Sequence, residues 1–294
     1  MHLLITDSGV GGLSVCAYAE EFLRNHDIGE PVRLTYVNAS PENDFGYNSM
    51  ASRQEKLENF DRFIHIVAAK YSPDLIYVAC NTLSVLMADT DFAKNAALPM
   101  RGIVETGVNH LVRDLGRDPE AIAAIFGTDT TIEEGTYSDR LKTNGIDESR
   151  IVAQACPSLA DTISEDLPGR NARAKIGTYV GEAIRKSSDP TARHLTYLAC
   201  THYGYRKAFF AAAFEDHGIS TQILNPNEIV VGDLFGSAEN SDIIGGRESP
   251  VEVEFVAHYR IPETALETIS FFLRDIAPKT IRAFKNFTYL PDLF

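Results

Sequence analysis

Residues 75–82 read LIYVACNT and residues 195–202 read LTYLACTH. Each is a short apolar run that reaches Ala-Cys and then a polar pair, the form of a buried strand arriving at its carboxyl end. The two stretches lie about one small domain apart, which suggests two similar halves that each present one thiol. Working outward, further strand candidates fall at residues 3–5, 32–37, 122–126 and 151–155. Between these runs, residues 13–25, 49–71 and 166–186 carry apolar side chains at mixed spacings of three and four, as amphipathic helices do. The alternation predicts an α/β fold with mostly parallel sheets flanked by helices. Residues 232–250 read as a loop, 251–257 as a strand and 263–276 as a helix. The apolar tail 277–294 is expected to dock on the body or on a partner chain.

Composition narrows the function. Hydrophobic residues make up 44% and charged residues 23% of the 294 residues, which places the chain among ordinary globular proteins rather than disordered ones. Lys and Arg number 27 against 41 Asp and Glu, a net charge of −14 that disfavours nucleic acid and anionic membrane as partners. No apolar run is long enough to span a bilayer, and the N-terminal stretch is too short for a secretory signal, so the chain is expected to be soluble and cytoplasmic. The four cysteines, Cys16, Cys80, Cys156 and Cys200, have no zinc-ligand spacing and no disulfide framework, so no metal is expected.

In open α/β sheets ligands bind at the carboxyl ends of strands, which singles out Asp7-Ser8-Gly9, Cys80-Asn81-Thr82, Gly127-Thr128, Cys156-Pro157 and Cys200-Thr201-His202. A cysteine where a strand opens into a helix lies in the field of the helix N-terminus, which is expected to lower its pKa. A buried structural cysteine is the alternative for either residue alone; the matched pair favours chemistry. Two facing thiols suit proton removal from one side of a carbon and return on the other. Asp7 reads either as a cap for the helix that follows or as a partner for a thiol. His202 reads either as a structural histidine or as an acid/base partner of Cys200. Gly9, Gly11 and Gly12 do not fit the dinucleotide fingerprint, so no nicotinamide cofactor is indicated. Cys16 and Cys156 are assigned to packing.

The motifs Thr6-Asp7-Ser8-Gly9-Val10-Gly11-Gly12, Ala79-Cys80-Asn81-Thr82 and Ala199-Cys200-Thr201-His202-Tyr203 resemble those of the aspartate/glutamate racemase superfamily, and glutamate racemase most closely. Glu105-Thr106-Gly107-Val108, Gly127-Thr128 with Thr131, and Ala155-Cys156-Pro157 add weaker matches in the same order. The resemblance implies a cofactor-independent racemase with an active site in a cleft between two pseudo-symmetric α/β domains. It implies that Cys80 and Cys200 are the acid/base thiols, Asp7 assisting the first and His202 the second. It further implies that Ser8, Phe45, Gly46, Asn81, Thr82, Thr128, Thr131 and Thr201 hold the amino-acid substrate. The domains are expected at residues 1–97 with 206–294, and at 98–205, in a homodimer.

The chain departs from the family between residues 38 and 46. Ala39 and Glu42 stand where the family has Asp and Arg, and Asp44-Phe45-Gly46 replaces Pro-Tyr-Gly. A carboxylate at Asp44 pointing inward would repel a glutamate side chain. The family's glutamate after Cys-Pro aligns with Ser164, Glu165 being the nearest acid. Another isomerase, lyase or decarboxylase of the same superfamily, and a non-catalytic binding protein, are the alternatives.

Overall fold

Near-total burial along the strand runs, from Leu3 to Asp7 and throughout Ile122–Gly127 and His194–Ala199, is what parallel sheets covered on both faces require. The structure, a computed structural model, describes residues 1–42, 46–236 and 249–294. Its strands are β1 (His2–Asp7), β2 (Val32–Asn38), β3 (Leu75–Val78), β4 (Met100–Gly102), β5 (Ile122–Gly127), β6 (Ile151–Ala155), β7 (His194–Ala199), β8 (Thr221–Leu224), β9 (Val251–Ala257) and β10 (Thr288–Tyr289). The chain divides into two compact units, Met1–Ile103 with Asn227–Phe294, and Val104–Pro226.

The first unit holds a six-stranded sheet in the order β10-β9-β2-β1-β3-β4, the second a four-stranded sheet in the order β6-β5-β7-β8. All the pairings are parallel. The segment β2-β1-β3-β4 of the first sheet and the whole of the second follow one scheme, in which the chain starts at an inner strand, steps to one side, then crosses to the other. The Ala-Cys turns follow the third strand of each scheme, β3 and β7. In such sheets the crossing point, between β1 and β3 or between β5 and β7, opens a crevice at the carboxyl ends.

The short strands β4, β8 and β10 escape the sequence reading because each is an edge strand of two to four residues, too brief to show a period. Helix starts also shift. The helix expected from residue 49 begins at Arg53, because Ser52 accepts from Glu55 N at 3.1 Å while the Glu55 carboxylate accepts from Ala51 N at 2.9 Å. The helix expected from 166 begins at Arg170, after Gly169 turns left-handed at φ 78° and Asp166 accepts from the Asn171 and Ala172 N–H groups. Of the loop expected over 232–250, residues up to Phe235 belong to the helix Pro226–Phe235, and 237–248 lie outside the described residues. The chain stays in the second unit to Pro226 rather than leaving it at 206, because the helix Lys207–Asp216 packs on Arg170–Lys186 and β8 pairs with β7.

Each unit buries its own core. In the first, Phe60, Phe63, Ile64 and Val67 of the helix Arg53–Tyr71 pack under Leu4, Ile76 and Val78. In the second, Phe126 meets Phe210 and Phe214 edge-on, beside Ile176 and Val180. The C-terminal tail docks on the first unit. Its helix Pro278–Lys285 is capped by the buried Glu20, which accepts from Lys279 N, Thr280 N and Thr280 Oγ1 at 2.9, 2.7 and 2.7 Å. Phe284 is fully buried against Phe255, and Leu293 joins the cluster around Phe63. No helix among the described residues is long and apolar enough to cross a membrane.

Candidate active site

In the first unit, Asp7 ends β1 and Cys80 follows the adjacent β3. The register pairs Thr6 with Val78, so the residues after this pair, Asp7-Ser8 and Ala79-Cys80, arrive side by side. Ala79 N donates to Thr6 O at 2.8 Å and locks this end of the ladder. The Ser8 hydroxyl lies 3.0 Å from the Cys80 sulfur. Asp7 is fully buried, and its Oδ1 accepts from Gly9 N at 2.9 Å. The helix Leu13–Asn25 has at its cap position Gly12, a residue with no side chain to cap with. Gly12 is required for another reason. A Cβ at this position would stand 2.7 Å from Asp7 Cβ, so only glycine lets the turn close over the carboxylate.

Cys80 heads the short helix Asn81–Ser84, and Asn81 and Thr82 are buried. The expected lowering of its pKa is reversed. Burial pushes the thiol up to about 12 and the Asp7 carboxylate adds to this, while hydrogen bonds from Ser8 and from the Leu83 backbone act in the opposite sense. The helix-terminal donor is present, but desolvation of the thiolate outweighs it. Cys80 is therefore a protonated thiol at neutral pH.

The second unit repeats the arrangement with different partners. Gly127 pairs with both Ala155 and Ala199, so Thr128 and Cys200 leave adjacent strands at one level. Thr128 caps the helix Asp129–Glu133 by accepting from Thr131 N, and the two hydroxyls lie 3.0 Å apart. The Cys200 sulfur lies 3.9 Å from His202 Nδ1. Thr201 is buried and His202 half-buried. Burial pushes His202 down to about 4 against the pull of the Asp161 carboxylate, so the imidazole is neutral at pH 7 and able to accept or relay a proton. Asp161, rather than Glu165, is the acid whose charge acts on His202. Both lie on the helix Leu159–Glu165, four residues apart, and alignment alone points to its far end.

Cys16 is fully buried, and Cys156 lies under the Tyr203 hydroxyl, which donates to its carbonyl at 3.3 Å. Desolvation raises both thiols, in keeping with packing roles. Gly46 precedes the single turn Tyr47–Ser49, whereas Phe45 and Asp44 lie outside the described residues. Glu42 is exposed. Tyr47 is not among the residues that the sequence singles out, yet it is buried in the cluster that contains Cys80. Its place directly after Gly46, at the edge of the segment that departs from the family, is the signal that could have found it. A trio outside both turns, Asp61, His65 and Asp91, groups three possible ligand atoms on the first unit's surface; it is largely exposed, and His65 sits 3.8 Å from each carboxylate.

No protein-family model matches the chain. It is similar to the glutamate racemase of a Nitratiruptor species, with 27% identity over 237 residues that cover 80% of this chain and 83% of the relative. The glutamate racemase of Aquifex pyrophilus is 28% identical over 207 residues, 69% of this chain and 71% of the relative. Among solved structures, glutamate racemase isoform RacE1 from Bacillus anthracis superposes with a TM-score of 0.72 at 18% identity, covering 94% of both chains. The Campylobacter jejuni glutamate racemase superposes with a TM-score of 0.70 at 21% identity, covering 93% of this chain and 98% of that one. By sequence the chain is thus similar to glutamate racemases, and it shares the fold of solved glutamate racemase structures.

Proposed function

We propose that the protein is a cofactor-independent racemase of glutamate or a related amino acid, with Cys80 and Cys200 as its two acid/base groups. One observation carries this reading: each unit sets a cysteine at the crossing point of its own parallel sheet, with a proton-handling neighbour, Asp7 for Cys80 and His202 for Cys200. The two sequence relatives named above, both glutamate racemases, support the same reading.

In the proposed reaction one thiolate takes the α-hydrogen as a proton, breaking the C–H bond and leaving the electron pair on the α-carbon. The opposite thiol then gives its proton to the other face. The charges of the two sulfurs are exchanged at the end of a turnover, and solvent protons restore them. For one enantiomer Cys80 is the acid, the state that burial and Asp7 favour; for the other it must first ionise. Ser8, Asn81, Thr82, Thr128, Thr131 and Thr201, with Phe45 and Gly46, are proposed to hold the substrate's carboxylate and ammonium groups through hydroxyls and backbone N–H groups, which bind anions without a lysine or arginine. The reading requires the two turns to flank one bound molecule. It also carries a cytoplasmic homodimer, which light scattering would test.

The experiment is exchange of the α-hydrogen in deuterated water, starting from L- and from D-glutamate. The wild type is expected to exchange both, and Cys80→Ala and Cys200→Ala are each expected to lose full turnover. Absence of exchange over a broad panel of amino acids would sink the reading, and release of carbon dioxide or ammonia would redirect it to a decarboxylase or lyase.

A further inference from the structure

We propose that Tyr47 is a positioning residue for Cys80, its buried hydroxyl turning to donate to the sulfur when that thiol loses its proton. The inference rests on the reading of Cys80 as an acid/base group and adds a residue to it. Tyr47 is 1% exposed, and its hydroxyl has no hydrogen-bond partner among the described residues. Its ring meets Phe60 edge-on, with centroids 6.5 Å apart, inside the apolar cluster that also holds Cys80 and Leu83. An unsatisfied hydroxyl in such a setting is costly, and phenylalanine would fill the same space without the cost. The hydroxyl therefore calls for an explanation other than packing.

Cys80 supplies it. The two side chains belong to one packed cluster, and the charge of Cys80 joins burial in raising the phenol's pKa. A phenol so placed keeps its proton and can serve only as a neutral dipole. The other groups that act on Cys80 are Asp7, which disfavours the thiolate, and Ser8 with the Leu83 N–H, which favour it. When the S–H bond breaks and its proton moves to the α-carbon, the charge left on sulfur needs a donor to offset burial and Asp7. Tyr47 O–H, which has no hydrogen-bond partner among the described residues, can supply it.

The test is Tyr47→Phe, with the rate of iodoacetamide alkylation at Cys80 followed across pH by peptide mass spectrometry. Loss of one hydrogen bond to a charged acceptor is expected to slow alkylation of Cys80 about tenfold at a fixed pH, with Cys200 unchanged. The alkaline limb of the exchange profile should move up in the same variant. Should Cys80 be out of reach of the reagent, the thiolate's ultraviolet absorbance, taken as the difference from Cys80→Ser in each background, reads the same shift. An unchanged Cys80 titration, together with a more stable fold, would show the hydroxyl to be a packing defect and overturn the proposal. The alkylation result stands apart from the proposed activity: a wild type without α-hydrogen exchange removes the racemase reading even if Tyr47→Phe shifts the thiol.

Discussion

Asp7 and Cys80 are a pair whose charges oppose each other in a dry setting. The carboxylate is fully buried at the end of β1, and its charge helps hold the neighbouring thiol up near 12. Asp7→Asn removes that charge and keeps the shape. The variant is expected to alkylate faster at Cys80 at a given pH, because the thiolate forms more readily, yet to lose about a hundredfold in α-hydrogen exchange through loss of an acid/base partner. Slower alkylation would contradict the electrostatics. The residue types at both turns are legible in the sequence, since Ala-Cys followed by a polar pair appears twice. The sign of the Cys80 shift is not, because the helix-terminal donor can be read from local order whereas burial depends on chain segments far away. Asp161 escapes the sequence reading for a similar reason: which carboxylate of a helix acts on His202 depends on the face that helix presents.

At the scale of elements, the turn between β1 and the helix Leu13–Asn25 holds the first site together. Gly12 passes so close to Asp7 that an added methyl would sit 2.7 Å from Asp7 Cβ and 2.9 Å from Oδ2. Gly12→Ala is therefore expected to cost about 1–3 kcal/mol, the usual penalty of overpacking, and to displace the carboxylate. Urea unfolding measures the first effect and α-hydrogen exchange the second; an unchanged midpoint would mean that the turn relaxes without strain. Long inner strands and several helices are legible from periodicity, including Leu13–Asn25 at both ends, whereas the 15-residue helix Ile103–Arg117 is missed. The helix starts at Arg53 and Arg170 are displaced from the sequence reading by side-chain caps, which local hydrogen bonds decide. Edge strands as short as Thr288–Tyr289 carry no pattern of their own and exist because β9 offers them a partner.

At the scale of the whole molecule, His202 links the site to acid stability. In the folded chain it stays unprotonated down to about 4, whereas unfolded it takes up a proton near its ordinary 6.5. The unfolded state thus binds protons first as pH falls, so the histidine's contribution is complete above about 6.5 and is lost as pH falls through about 4. His202→Gln should flatten the fall in unfolding free energy across that window relative to wild type, as urea titrations at stepped pH would show. A steeper fall in the variant would reverse the assignment.

The sequence by itself determined the α/β class, the inner strands and the duplicated Ala-Cys turn, because burial on both faces of a parallel strand writes itself into consecutive apolar residues. Tertiary structure alone decided that the two turns occupy equivalent crossing points of their own sheets, that the tail completes the first unit, and that Cys80 is protonated beside Asp7. Those outcomes depend on strand order, docking and desolvation, which arise from contacts between residues distant in the chain and leave no local pattern to read.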